Sequence, residues 1–245
     1  MSTDKPTERS IPQPAASGGG GAGLRPAVAD AGQRSGGSWS ERAQLYRDSE
    51  AHREGEDLDL VVEWSEGAET ALDVATGGGH VARRLREAGL NVVTVDAAPG
   101  MQPDVVSRSE DIPFADGSFD VVVCRVAAHH FDDVAKAVSE MARVSRDRVI
   151  VVDNLFLDDD AEQADRVRDP SHVRNWSEGE WRGFFASAGL QVDEARRLEK
   201  PIEVEPWLER AGTGEEDAQR VRELLGDRIQ DGWITLDRLV IRGRK

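Results

Sequence analysis

Two short stretches constrain the fold of this chain more than anything else in it: Ala71-Leu-Asp-Val-Ala-Thr-Gly-Gly-Gly-His80, and about twenty residues later Val92-Val-Thr-Val-Asp96. An apolar run ending in glycines, a helix-length stretch, and a second apolar run ending in a carboxylate form the pattern of a βαβ unit built around a ligand. Glycine has no Cβ to clash and reaches positive φ at little cost, so Gly77, Gly78 and Gly79 let the backbone turn sharply and approach a bound group. Asp96 falls at the carboxyl end of the second parallel strand. There it faces the crevice outside the strand ends, where a carboxylate can accept from both hydroxyls of a ribose.

The turn narrows the choice of ligand. A dinucleotide fold spaces its glycines G-x-G-x-x-G so that a helix N-terminus meets a pyrophosphate. Here Gly77 and Gly79 are followed by His80, Val81 and Ala82. Asp73 lies inside the first strand, four residues before Gly77, where a nicotinamide-binding strand is usually apolar; it suits a ligand with an ammonium group. A nicotinamide-dependent dehydrogenase is therefore the rival enzyme class.

Leu72-Asp-Val-Ala-Thr-Gly-Gly-Gly79 and Val95-Asp-Ala-Ala-Pro-Gly-Met101 resemble the glycine-rich and ribose-binding motifs of the class I S-adenosylmethionine-dependent methyltransferases. The likeness is strongest to the small-molecule branch that includes the ubiquinone and menaquinone biosynthesis enzymes. Glu110 to Arg125, followed by Ala128-His-His-Phe131, is similar to that family's third and fourth motifs in the same order, and the resemblance spans roughly residues 40 to 200. It implies S-adenosyl-L-methionine as cofactor, contacted by Asp73, Ala75, Gly77, Gly79, Asp96, Met101, Ser109, Glu110 and Arg125. Ala75 stands at the first position of the glycine motif. Arg108 stands where the family usually has an acid for the adenine amino group, and a guanidinium has no acceptor. A non-catalytic S-adenosylmethionine-binding module is the second alternative.

At 245 residues the chain is long enough for one substantial core. A net charge of −16 argues against a nucleic-acid partner, because such affinity comes from clustered Lys and Arg neutralising phosphates. Cys124 is the only cysteine, which leaves no disulfide framework and no thiolate metal site, and no metal is expected. No run approaches the roughly 18 consecutive apolar residues of a membrane helix, and no signal peptide is visible, so a cytoplasmic protein without membrane partners is expected.

Residues 1–38, rich in Pro, Gly and Ser, are expected to form a disordered tail, followed by a methyltransferase domain over 39–245. Residues 39–66 read as short helices, with Leu58, Val61 and Val62 on a buried face; the resemblance implies that they form a lid over cofactor and substrate. Strands are predicted near 70–75, 91–96, 103–106, 119–125, 148–153, 191–199 and 233–242. Helices are predicted near 79–89, 132–145, 177–188 and 213–226. The fold class is thus α/β: a doubly wound seven-stranded sheet, mostly parallel with an antiparallel last strand, Rossmann-like. Residues 200–230 read as an insertion near the substrate mouth.

Methyl transfer from a sulfonium needs an acceptor held in line and water kept out; a base helps only where the acceptor must lose a proton. His129 and His130, at the end of the fourth strand, are the candidates for that base, and their adjacency predicts diverging side chains. A metal site with Asp132 or Asp133 is disfavoured, since a tight turn rarely converges four ligands. Substrate contacts are expected from Tyr46, Asp153, Ser171 and His172, with His52 a weaker candidate. Arg125 could hold an anionic group of cofactor or substrate. The acceptor is a small molecule of a kind the sequence leaves open, as it does the oligomeric state.

Overall fold

The computed structural model describes residues 12–14, 39–40 and 53–245. Tyr46, His52 and all of the expected tail except residues 12–14 lie outside the described residues. In chain order the elements are α1 (Glu56–Trp64), β1 (Thr70–Val74), α2 (His80–Glu87), β2 (Asn91–Asp96), β3 (Val105–Val106), β4 (Phe119–Arg125) and α3 (Val134–Val144). They continue with β5 (Ser145–Asn154), α4 (Asp159–Arg168), α5 (Glu178–Ser187), β6 (Gln191–Glu203), α6 (Val204–Ala211), α7 (Glu215–Leu225) and β7 (Trp233–Arg244).

The seven strands form one sheet in the order β3-β2-β1-β4-β5-β7-β6. The pairs from β3 to β5 are parallel, and β7 runs antiparallel to both β5 and β6. This is the doubly wound sheet with an antiparallel last strand that the sequence predicts. Its strand order reverses at β1 and β4, and in open α/β sheets such a switch point is where a crevice opens at the carboxyl ends of the strands.

Strand alternation sorts the core. Val121, Val123, Ile150 and Val152 face α1 and α2 and pack with Leu58, Val61, Trp64, Val81 and Leu85. Val122, Cys124, Val149 and Val151 face the opposite layer and pack with Val138, Met141, Trp181 and Phe185. Both faces are covered, so β4 is buried along its whole length and reads as a continuous apolar run. Val62, expected on the buried face of α1, is only half-buried. The capping box expected before α5 is present, with Ser177 and Glu180 exchanging hydrogen bonds.

A separate cluster joins Ala164 of α4, Trp207 and Leu208 of α6, Val221 and Leu225 of α7, and Ile234 of β7. It forms the wall at the far side of the crevice. Helices α4 and α6 were not predicted. In α4 the buried face is made by Ala164 and by Glu162, whose carboxylate accepts from His172 Nε2 at 3.0 Å and from the Asn175 N–H at 3.1 Å. A face satisfied by hydrogen bonds leaves no apolar periodicity in the sequence. The visible signal was the cap: Asp158 accepts from the Ala161 N–H at 3.0 Å.

Candidate active site

Beyond β1 the chain turns through Ala75 at φ 54° and Gly77 at φ 51°, both left-handed. The Asp96 carboxylate braces this turn. Its Oδ2 accepts from the Gly77 N–H at 2.9 Å while its Oδ1 accepts from the Ala98 N–H at 2.9 Å. Inside the first strand, Asp73 is buried and accepts from the Thr76 hydroxyl at 2.6 Å and from the Ala82 N–H at 3.1 Å. Burial pushes its pKa up to about 7, against the pull of those two hydrogen bonds and with help from the nearby Asp96 charge.

At the adjoining end, Arg108 pairs with Asp132 and, at 3.4 Å, with Glu110, while the Ser109 hydroxyl donates to Glu110 at 3.1 Å. Arg108 is therefore a clamped cation, its pKa raised first by the Asp132 hydrogen bond.

The two histidines sit on a single 3-10 turn, Ala128–His130, after β4. They do not diverge as predicted: the tight turn keeps their rings 4.1 Å apart. His129 donates from Nδ1 to Asp153 Oδ1 at 2.6 Å, and its main-chain N–H donates to Asp153 Oδ2 at 2.9 Å. Burial opposes a charge on His129, but the Asp153 carboxylate outweighs it and raises the imidazole pKa. His130 shows the reverse, held well below its ordinary value by burial and then by the neighbouring His129 charge. Its Nδ1 lies 3.2 Å from the Ser171 carbonyl, which can only accept, so Nδ1 carries the proton and Nε2 keeps its lone pair. Trp39 meets the His130 ring edge-on at 4.9 Å.

Just before that turn, Val126 adopts φ 53° and donates its N–H to the Val152 carbonyl at 2.7 Å. A β-branched residue in the left-handed region is a genuine outlier, and such strain gathers where the surrounding structure fixes a site.

Asp57 of α1 accepts from Arg125 Nε at 2.7 Å and from Arg238 Nη1 at 3.2 Å, with all three side chains at most 4% exposed. Burial favours the neutral acid, yet the two guanidiniums prevail and lower the Asp57 pKa. The far wall carries Ile202, Trp207 and Arg210, with the Arg168 guanidinium 4.3 Å over the Trp207 ring.

These parts enclose one cavity of about 220 Å³. Of the residues expected from sequence, Asp73, Ala75, Gly77, Asp96, Met101, Ser109, Glu110, Arg125, His129 and His130 line it. Gly79, Asp153, Ser171 and His172 do not. Gly79 starts α2, Asp153 and Ser171 hold the histidines from behind, and His172 is bonded to Glu162. Sequence reasoning named none of Arg168, Trp207, Arg210 and Arg238 individually as site residues, although Trp207 and Arg210 fall in the 200–230 segment it read as an insertion near the substrate mouth.

Residues 72–152 match a family model described as a methyltransferase domain. The chain is 35% identical over 199 residues to YcgJ of Bacillus subtilis, an uncharacterized methyltransferase, covering 71% of this chain and 79% of that protein. The crystal structure of YcgJ matches with a TM-score of 0.72 at 29% identity, over 77% of this chain and 97% of that chain. A demethylmenaquinone methyltransferase from Renibacterium salmoninarum is 36% identical over 85 residues, 31% of this chain and 36% of that protein.

Proposed function

This chain belongs to the class I S-adenosylmethionine-dependent methyltransferases, and from that premise we propose that it moves a methyl group from S-adenosylmethionine to a small-molecule acceptor, in the cytoplasm. The observation that carries this reading is the placing of Asp73, Gly77 and Asp96 in the same cavity as His129 and His130. The polar groups fit the cofactor. Asp96, at the strand end, would hold a ribose diol, and the ionisable Asp73 suits an α-ammonium group. Met101, Ser109 and Glu110 form the side that would take adenine. The cofactor supplies an electrophilic methyl carbon on a sulfonium.

The chain's own task is to orient the acceptor and exclude water. Where the acceptor must lose a proton, His129 is the better base. Asp153 fixes its tautomer with Nε2 unprotonated in the neutral ring and raises its basicity. His130 is kept neutral and so serves as a hydrogen-bonding wall. The acidic surface supports a small acceptor over a nucleic acid.

The test is release of S-adenosylhomocysteine from S-adenosylmethionine over a panel of hydroxylated and acidic-carbon acceptors. Acceptor-dependent release is expected, and it should fall in His129→Gln. Saturable binding of reduced nicotinamide cofactor, with no binding of S-adenosylmethionine or S-adenosylhomocysteine, would overturn the reading.

A further inference from the structure

Asn154, the last residue of β5, is half-buried and lines the cavity. It lies directly opposite Arg238 in the antiparallel pairing of β5 with β7, so the two side chains share one face of the sheet. That face is the one covered by α1, from which Asp57 accepts the Arg238 Nη1 donor at 3.2 Å. Asp153 precedes Asn154 on the strand and by alternation faces the other layer, where its carboxylate holds His129. The end of β5 thus supports the cavity from both faces of the sheet, Asp153 through His129 and Asn154 directly.

Arg238 fixes the way the Asn154 amide is turned. Its Nε donates to Asn154 Oδ1 at 3.2 Å, and a guanidinium has no acceptor, so the oxygen side of the amide must face Arg238. The Nδ2 group keeps two N–H donors with no hydrogen-bond partner among the described residues. An asparagine at a strand end commonly bonds the main chain of its own turn. Here neither side-chain atom does so. An aspartate would serve Arg238 as an acceptor equally well and add a charge attraction; what the amide adds is the pair of donors.

The cavity therefore presents a base, His129, and an oriented neutral donor, Asn154. That combination suits a molecule that loses a proton and gathers the resulting negative charge on an oxygen, because a donor fixed in advance at that oxygen costs no reorganisation as the charge grows. We propose that Asn154 is a specificity-determining residue, donating from Nδ2 to a carbonyl oxygen of the methyl acceptor that is conjugated with the O–H or C–H whose proton His129 takes. The proposal rests on the methyltransferase reading of the same cavity, and it assigns the acceptor to the enols, phenols and carbon acids that bear a carbonyl. The proton goes to the lone pair of His129 Nε2, and the electron pair of the broken O–H or C–H bond spreads onto the carbonyl oxygen beneath the Asn154 donors. Arg238 is the positioning residue for Asn154, as Asp153 is for His129.

The experiment is a calorimetric titration of the full chain, first with S-adenosylhomocysteine and then, at saturation, with the ortho and para hydroxyacetophenones and the matching ethylphenols. Each pair has the same ring, hydroxyl and two-carbon arm and differs only in the carbonyl. At least one ketone is expected to bind about ten-fold or more tightly than its ethylphenol. Asn154→Asp keeps an oxygen for Arg238 and removes both donors; it should cost about ten-fold in ketone affinity, near 1.4 kcal/mol, and leave the ethylphenol and S-adenosylhomocysteine unaffected. Asn154→Leu, which adds no charge, should do the same. His129→Gln should retain the ketone preference, because Asn154 supplies it.

Equal binding of ketones and ethylphenols, absence of ketone binding, or a preference that survives both Asn154 variants overturns the proposal. So does a preference lost in His129→Gln, or a loss of S-adenosylhomocysteine affinity in the Asn154 variants, which would assign Asn154 to the cofactor. If S-adenosylhomocysteine fails to bind the unaltered chain, the underlying reading fails instead.

Discussion

The Asp96 carboxylate accepts the Gly77 main-chain N–H at 2.9 Å, which makes two motifs nineteen residues apart one mechanical unit. Its other oxygen accepts from Ala98 at 2.9 Å, so both arms of the crevice hang on a single side chain. Each carboxylate oxygen has further acceptor capacity, and the brace does not exhaust what Asp96 can offer a ligand.

Asp73 links cofactor affinity to pH. Its folded-state pKa, raised from 3.8 to about 7, means the native protein binds more protons than the unfolded chain between those values. Stability of the free protein should therefore fall as pH rises through that window, by about 1.4 kcal/mol per pKa unit. An ammonium-bearing ligand favours the carboxylate, so S-adenosylhomocysteine affinity should strengthen up to about pH 7 and then level off. Asp73→Asn should melt no lower than wild type above neutral pH, bind the ligand more weakly, and lose the pH dependence; calorimetry at several pH values reads all three.

His129 and Asp153 give a second pH signature. The His129 pKa lies above 6.5 in the folded state, so the pair stabilises fully below that pH and the contribution disappears as pH rises through the folded value. Asp153→Asn should lower stability most on the acid side. As a base, His129 works unprotonated, so the rate rises with pH through its pKa. In Asp153→Asn that rise should move to lower pH with a lower plateau, as measured by the pH profile of kcat.

Asp57 pairs with both Arg125 and Arg238, each 4% exposed at the side chain. Removing one partner of a buried ion group costs about 3–5 kcal/mol because uncompensated charge stays behind. Asp57→Asn should show that loss in urea unfolding. Adding Arg238→Met should recover part of it, since one of the stranded charges is then gone.

Gly243 in β7 tests packing away from the cavity. A Cβ there would lie 2.6 Å from Phe185 Cδ1 and 3.1 Å from Leu190 Cβ. Overpacking of that kind costs about 1–3 kcal/mol. Gly243→Ala should lower the melting temperature and leave S-adenosylhomocysteine affinity unchanged.

The parts of the site within β1, α2, β2 and the end of β4 were legible because local pattern determines them: glycines must turn, and a strand-end carboxylate must face the crevice. The pairing of Asp57 with Arg238 and the place of Arg168 were not. Asp57, Arg168 and Arg238 lie in α1, α4 and β7, and β7 reaches the site only by returning antiparallel beside β5. No spacing rule joins segments so far apart. The histidines were found, but their relation was misjudged, because a 3-10 turn rather than an extended strand carries them. Asp153 and Ser171 were recognised as polar groups at strand and loop ends, yet a linear reading does not distinguish a side chain facing a cavity from one holding its neighbour.

The most direct measurement is S-adenosylhomocysteine titration of the wild-type chain and Asp96→Ala by isothermal calorimetry. One equivalent is expected to bind wild type with micromolar-range affinity, and Asp96→Ala should bind at least about ten-fold more weakly, a difference of about 1.4 kcal/mol. Equal affinity in the two proteins, or no binding to wild type, would contradict the assignment of this crevice.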